Sequence, residues 1–553
     1  MTSTAPATTL RDRYSDDQIA SFYESGYWST DSLYELIRTS AASRPDKVFV
    51  FDSTTAVTYA GLQESAVRVA AGLRRAGVAP GDRVAVQLPN WTEFVVIAAA
   101  IARAGAVIVP IMPIYRDKDV AYVLAHSGAK VAVTAEEFKG FGYLEMFRQI
   151  RPACEGLETV VITRGATAPG AGEIAWADLE IAGDIAELES EIGPDTHPDE
   201  PFLVVYTSGT TARPKGCHHT LNTIRSSAAA IARSLDYTED DVQFGPSPIT
   251  HSTGLVTSVL LPLLSGASSH LMEAWEPVEG MRRIKEHGCT VSVTATAFLQ
   301  MMMAAYDPAR DDLSSVRYWV CAGAPIPGSV VEKAGQMLSG GRVLSLYGRS
   351  ENFLTTMCTS TDAPSRSVSS DGSALHGAEV RVVGPEGEEV PRGEEGDIAY
   401  RGPSHMIGYY LDPVETVALF TPDGFSRSGD LGRMDADGFV RVTGRLKDIV
   451  IRGGMNISAR EIEDLVLAHP AVGTVAVVGM PDERLGEKVC LYVVPAAGAE
   501  PPTLESILDG LRAAKLPTAK LPERLEVVDV LPMTATGKIQ KHLLREDIAR
   551  KLG

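Results

Sequence analysis

Residues 206–216 read Tyr-Thr-Ser-Gly-Thr-Thr-Ala-Arg-Pro-Lys-Gly. Thr207, Ser208, Thr210 and Thr211 supply hydroxyls, Gly209 and Gly216 leave backbone N–H groups open, and Arg213 and Lys215 supply positive charge. An oxyanion-rich ligand needs that combination on one loop. The nucleotide pattern G-x-x-x-x-G-K-[ST] is not met, because Pro214 precedes the lysine and Gly216 follows it. The stretch is therefore a phosphate loop of another kind or a polar turn. Taken alone, the turn is the readier reading.

Six other stretches carry chemistry. In 321–327, Gly323, Ala324 and Pro325 follow a strand, and small residues there let a flat ring approach the backbone. Residues 346–352 offer Tyr347, Gly348, Arg349, Ser350 and Glu351. An aromatic suits a purine, a hydroxyl suits a phosphate oxygen, and a glutamate suits Mg²⁺. The stretch nearly spells the G-x-S-x-G nucleophile elbow, but Asn352 stands where the second glycine belongs, which argues against a serine hydrolase. Asp430, ending 425–430, suits two ribose hydroxyls, and Arg445, in 444–448, suits a phosphate or ribose. Lys538 sits in a Thr-Gly-Lys loop that could carry a cation into a distant cleft, although most lysines simply face solvent. His251 precedes Ser252, Thr253 and Gly254; a lone histidine is usually structural or a helix cap, and no His–carboxylate cluster accompanies it.

These stretches need elements to hold them. The apolar run 202–205 predicts a buried strand, and 220–235 a helix after the loop. Residues 83–88, 91–104 and 106–110 make a strand–helix–strand unit, and 131–134 and 159–163 continue the strands. A second series holds strands at 242–244, 268–272, 290–293, 317–321 and 343–346, with helices at 254–264 and 278–287. The alternation predicts two doubly wound α/β halves, with a ligand at the strand carboxyl ends. Short strands at 380–383, 396–401 and 439–443 between Gly/Pro turns predict a small β-barrel or meander. From Asp448 a separate, small α+β unit begins.

The chain of 553 residues has a formal charge of -20, which argues against a nucleic-acid partner held through its phosphates. No apolar run has membrane-spanning length, and residues 1–15 lack the form of a secretory signal. Six scattered cysteines without a C-x-x-C pair fit a reducing compartment, so the expectation is a cytoplasmic protein without membrane insertion. A homo-oligomer is left open.

In this order, the stretches resemble the adenylate-forming superfamily of acyl-CoA synthetases, luciferases and adenylation domains. The likeness covers nearly the whole chain. It is nearest to bacterial short- and medium-chain acyl-CoA synthetases and cyclohexanecarboxylate–CoA ligases, through Tyr-Glu-Ser-Gly-Tyr-Trp at 23–28, 246–254, Ile-Arg-Gly-Gly at 451–454 and the ending at 536–546. The resemblance implies ATP, Mg²⁺ and coenzyme A as reactants and cofactors, with a carboxylic acid substrate. Acyl-AMP would form first, with release of pyrophosphate, and the CoA thiol would then displace AMP. Thr207, Ser208, Gly209, Thr210, Thr211 and Lys215 would grip the outer phosphates. Gly323, Ala324, Pro325, Tyr347 and Gly348 would border the adenine. Ser350 would touch the α-phosphate, Glu351 would hold Mg²⁺, Asp430 would hold the ribose, and Arg445 the ribose or a phosphate. Lys538 would bridge the carboxylate and α-phosphate.

It further implies an N-terminal domain over 1–444, a hinge at 445–448 containing Lys447, and a mobile lid over 449–553. The lid would exchange Lys538 for a CoA-side face at Arg452, Gly453 and Gly454. His251, Thr253, Gly254, Thr296 and Arg349 would line the acyl pocket or its gate. Arg349 is a departure from the pattern and could meet a carboxylate, a phosphate or Glu351. Ala212, Ser428 and Leu221 are further departures. Small walls at 294–297 and 323–324 imply room for an aliphatic, alicyclic or polycyclic acid. The competing expectations are transfer of the acyl group to a protein or amine, luciferase-like oxidation, and a non-enzymatic nucleotide binder.

Overall fold

A computed structural model describes residues 9–207, 214–323, 326, 328–533 and 539–552. Eight strands form one sheet in the order Gly408–Tyr409, Lys215–Thr220, Pro201–Thr207, Val107–Pro110, Arg83–Gln87, Val131–Ala135, Thr159–Thr163, Glu173–Ala175. From Pro201–Thr207 onward the neighbours run parallel. A nine-stranded sheet contains Arg342–Tyr347, Tyr318–Ala322, Val291–Ala295 and Val242–Gly245 as consecutive parallel neighbours. The two doubly wound halves are therefore present. Thr92–Arg103 is apolar nearly all round and buried nearly all round, as a helix enclosed within such layers must be. One continuous hydrophobic core runs through both sheets.

The residues after the 206–214 stretch differ from the expectation of a direct passage into a helix. Residues 215–220 form a strand, Lys215–Thr220, antiparallel to Pro201–Thr207, and only then does Leu221–Ser234 begin. Thr220 caps that helix by accepting the Thr223 N–H at 3.2 Å. The loop thus joins two arms of a hairpin. The apolar helix near 254–264 contains a π-helical stretch, Val256–Leu260, between Ser252–Leu255 and Leu261–Ser265.

Glu379–Val383, Glu395–Arg401, Ser426–Met434 and Val440–Arg445 make a four-stranded antiparallel meander. A further sheet of Met455–Ile457, Val450–Arg452, Gly486–Pro495, Val472–Asp482 and Arg524–Val527 follows. Its two faces bury separate apolar clusters beneath Ala459–Val466 with Leu504–Ala513, and beneath Lys541–Leu552. Among the described residues no helix is long and apolar enough to cross a membrane.

Candidate active site

Four of the expected stretches lie side by side because their strands do. The carboxyl ends of Arg342–Tyr347, Tyr318–Ala322, Val291–Ala295 and Val242–Gly245 lead respectively into 347–351, Gly323, Thr296 and the loop to His251. Side chains that are distant in sequence thereby share one edge, the place where open α/β sheets bind ligands.

Tyr347 is the meeting point with the meander. Its hydroxyl donates to Asp430 Oδ2 at 2.7 Å, and Arg445 Nε donates to Asp430 Oδ1 at 2.7 Å. Asp430 and Arg445 are register partners on adjacent antiparallel strands, which fixes that pair before any ligand arrives. Burial first, and the Asp430 charge second, hold the Tyr347 phenol well above its ordinary range, so it remains a donor. Ser428 accepts the Asp430 N–H at 3.0 Å, the turn job a threonine hydroxyl would also do. Asp397 supports the same turn through the Gly429 N–H at 2.9 Å and an ion pair with Arg427 at 3.1 Å. Gly429 has φ +71°, a conformation glycine adopts without strain. Asp397 was not expected in this role; nothing in its local sequence marks it.

Ser350 and Glu351 occupy the loop after Tyr347. Ser350 Oγ lies 3.4 Å from Ser252 Oγ, and the Ser350 carbonyl accepts from His219 Nε2 at 2.8 Å. Burial pushes the His219 imidazole down to about 3, so it is neutral, with its proton on the nitrogen that donates. His219 also escaped the sequence reading. It lies on the unforeseen strand, whose polar sequence Lys-Gly-Cys-His-His-Thr carries no strand signature. Glu351 Oε1 accepts from the Tyr409 hydroxyl at 2.6 Å. Lys215 Nζ lies 4.9 Å from the Tyr409 ring centroid and pairs with Glu415. Gly348 is required where it stands, since a Cβ would come within 2.0 Å of the Phe353 carbonyl.

Arg349 is engaged by partners within the chain that its sequence position did not suggest. Its guanidinium donates to the carbonyls of Arg427 at 2.8 Å and Ser426 at 3.0 Å, to Asn352 Oδ1 at 3.2 Å, and to the Ser426 hydroxyl. It ties the Tyr347 loop to the meander. Among the described residues it makes no ion pair with Glu351. A planar fork filled by four acceptors is a brace.

His251 Nδ1 accepts the Thr253 N–H at 3.3 Å and so caps Ser252–Leu255. Gly254 lets that helix start against the Pro248 carbonyl, 2.2 Å from where a Cβ would stand. Thr296 is buried beside Cys321. Gly323 has φ +76° and open space over its Cβ direction. Thr207 Oγ1 donates to the Lys215 carbonyl at 3.5 Å, across the hairpin. Arg452 pairs with Glu523 at 2.8 Å within the last sheet, followed by Gly453 and Gly454 at φ +58° and +85°. Lys447 is exposed, and its charge reaches Glu415. Ser208, Gly209, Thr210, Thr211, Ala212, Ala324, Pro325 and Lys538 lie outside the described residues.

The family model of the AMP-binding enzymes matches residues 37–410, and that of the AMP-binding enzyme C-terminal domain matches 461–538. The chain belongs to the AMP-binding enzyme family. It is 36% identical over 540 residues to a medium-chain fatty-acid–CoA ligase of Escherichia coli (strain K12), covering 98% of this chain and 94% of that one. It is 31% identical over 508 residues to a methyl-dioxo-octahydroindenyl-propanoyl:CoA ligase of Rhodococcus jostii (strain RHA1), covering 90% and 95%. Among solved structures it resembles an amide bond synthetase from Marinactinospora thermotolerans, with TM-score 0.79, 27% identity, and coverage of 93% and 99%. The adenylate-forming resemblance and the α/β architecture expected from the sequence are both borne out by these matches.

Glu351 suits magnesium chemically. Its carboxylate presents hard oxygens, its one hydrogen bond comes from a neutral phenol, and no Lys or Arg within ion-pair distance neutralises it among the described residues. One carboxylate together with substrate phosphates is the usual protein share of such a site.

Proposed function

We propose that this enzyme is an AMP-forming acyl-CoA ligase. A carboxylate oxygen attacks the α-phosphorus of ATP, the bond to the β-phosphate oxygen breaks, and pyrophosphate leaves with the electron pair. The CoA thiolate then attacks the acyl carbon, and AMP departs. The observation that carries the reading is the Asp430 carboxylate held by Arg445 and by Tyr347 at 2.7 Å each, Tyr347 leading directly into the loop of Ser350 and Glu351. A preorganised carboxylate beside an aromatic suits a ribose and its base, and the hydroxyl and second carboxylate suit a phosphate with its metal. Magnesium at Glu351 would supply charge neutralisation on the phosphates. Lys215 would hold the departing pyrophosphate, and Lys538 would join carboxylate to α-phosphate.

For the substrate we infer an aliphatic, alicyclic or bulky polycyclic acid. The small residues Ala295, Ala297 and Gly323 at the strand ends support this, as do the acids named for the two CoA-ligase relatives. We further infer that residues 1–444 bind ATP and acid, that 445–448 form a hinge, and that 449–553 close over them. Transfer of the acyl group to an amine is the second reading, favoured by the likeness to an amide bond synthetase. A panel of aliphatic, alicyclic and polycyclic acids, scored separately for pyrophosphate release and for CoA thioester, tests both. Pyrophosphate release without thioester would overturn CoA transfer, and activity confined to amino or hydroxybenzoic acids would overturn the substrate class.

A further inference from the structure

We propose that Tyr409 is a positioning residue serving two groups of the nucleotide site, its hydroxyl orienting the Glu351 carboxylate and its ring face supporting the Lys215 ammonium. The proposal rests on the reading that Glu351 holds the metal and Lys215 the outer phosphates.

Tyr409 belongs to the short strand Gly408–Tyr409, at the edge of the eight-stranded sheet. Cys217 is its register partner, two residues after Lys215. The backbone around it is held from several sides. Ile407 N–H donates to the His218 carbonyl at 2.8 Å, Tyr410 N–H to the Gly216 carbonyl at 2.7 Å, and Tyr409 N–H to the Thr416 hydroxyl at 2.8 Å. Met406 N–H donates to the Glu351 carbonyl at 2.7 Å, so the segment also grips the backbone of the residue whose side chain Tyr409 touches.

The side chain is 6% exposed. Its hydroxyl is 2.6 Å from Glu351 Oε1, and the Lys215 ammonium stands 4.9 Å from its ring centroid. A cation at that distance is attracted by the ring quadrupole, while a phenol hydrogen bond fixes which carboxylate oxygen remains for a metal. The strand therefore joins the hairpin bearing Lys215 to the loop bearing Glu351 through one rigid side chain.

Tyr409→Phe separates the two roles, since it removes the hydroxyl and keeps the ring. The measurement is Mn²⁺ binding by electron paramagnetic resonance in the presence of a non-hydrolysable ATP analogue. Loss of an outer hydrogen bond to a metal ligand weakens metal binding about 10- to 100-fold, and the Phe variant should fall in that range. Its metal-free affinity for tripolyphosphate should stay at the wild-type value, while Tyr409→Leu should weaken that affinity as well. In a Glu351→Gln background, Tyr409→Phe should cause no further loss of Mn²⁺, because the two groups act as one unit. A purely structural tyrosine would add its full effect there. Wild-type Mn²⁺ affinity in Tyr409→Phe, or full additivity with Glu351→Gln, would overturn the proposal. Failure of the wild-type protein itself to bind Mn²⁺ with the analogue would instead overturn the nucleotide reading on which it rests.

Discussion

Asp430→Asn perturbs the arrangement that carries the functional reading. Both carboxylate oxygens already accept, Oδ2 from the Tyr347 hydroxyl and Oδ1 from Arg445 Nε, each at 2.7 Å. Asparagine keeps one acceptor oxygen and replaces the other with an NH₂ group. If the oxygen serves Arg445, the amide faces the Tyr347 hydroxyl, which can turn to another acceptor. If it serves Tyr347, donor meets donor at Arg445. In either case one hydrogen bond to a charged group is lost, along with the negative charge offered to a ribose edge. Such a bond contributes about 1.5–3 kcal/mol net. That range corresponds to about 10- to 150-fold in a binding constant.

The stability change should be smaller than the binding change, because the Arg445 side chain is 37% exposed and water compensates for its lost partner. Isothermal titration with AMP, alongside pyrophosphate–ATP exchange at varied ATP, reads the binding term. The AMP Kd and the ATP KM should rise together by the stated factor, with the KM for CoA unchanged. Tyr347→Phe should act in the same direction with a smaller factor, since Arg445 keeps its partner. AMP affinity within two-fold of wild type, in a variant with an unchanged melting profile, would refute the assignment of Asp430 to the ribose.

Three further outcomes are expected. Glu415→Gln removes the anion paired with Lys215, and because Glu415 is half-exposed the pair contributes only about 0.5–1 kcal/mol. The apparent pyrophosphate Ki in exchange kinetics should therefore fall by about two- to five-fold; an increase would show that Glu415 helps to bind the phosphates. Lys538→Ala should strongly slow acyl-AMP formation while leaving thioester formation from supplied acyl-AMP largely intact, as separate half-reaction assays would show. Equal loss in both half-reactions would contradict the assignment. His219 and His270, pushed down to about 3 by burial, and His218, pushed down to about 4, stay neutral in the fold, whereas the unfolded chain binds their protons below about 6.5. Stability should thus be complete above about pH 6.5. Below that it should fall by about 1.4 kcal/mol per pH unit per histidine, until the folded groups titrate. Denaturant titrations from pH 7 to 4.5 should show this slope, and His219→Gln should reduce it.

In the nine-stranded sheet Val242–Gly245, Val291–Ala295, Tyr318–Ala322 and Arg342–Tyr347 were legible because each is a short, mainly apolar run closed by small or turn-forming residues, and the chemical residues follow on those turns. Tyr347, Ser350 and Glu351 could be placed at a strand end from spacing alone. The strand Lys215–Thr220 could not, since its buried residues include two histidines and a cysteine without alternation, and its stability comes from pairing on both sides. Arg349 was expected to meet a carboxylate, a phosphate or Glu351 because it departs from the family pattern beside the expected acyl site. Three of its four acceptors belong to Ser426 and Arg427, 77 and 78 residues away, which no local pattern announces.

Residue order and local chemistry were enough to establish an alternating α/β chain, a set of polar loops at strand ends and their resemblance to carboxylate-activating enzymes. Apolar periodicity and turn propensity act over a few residues and are written directly in the chain. Folding decided which polar groups meet. Asp430 meets Arg445 through an antiparallel register and Tyr347 across 83 positions, His219 reaches the Ser350 carbonyl across 131 positions, and Tyr409 reaches Glu351 across 58. Hydrogen bonds and charge pairs act over a few ångströms of space, and only sheet order and register convert such separations in the chain into contact.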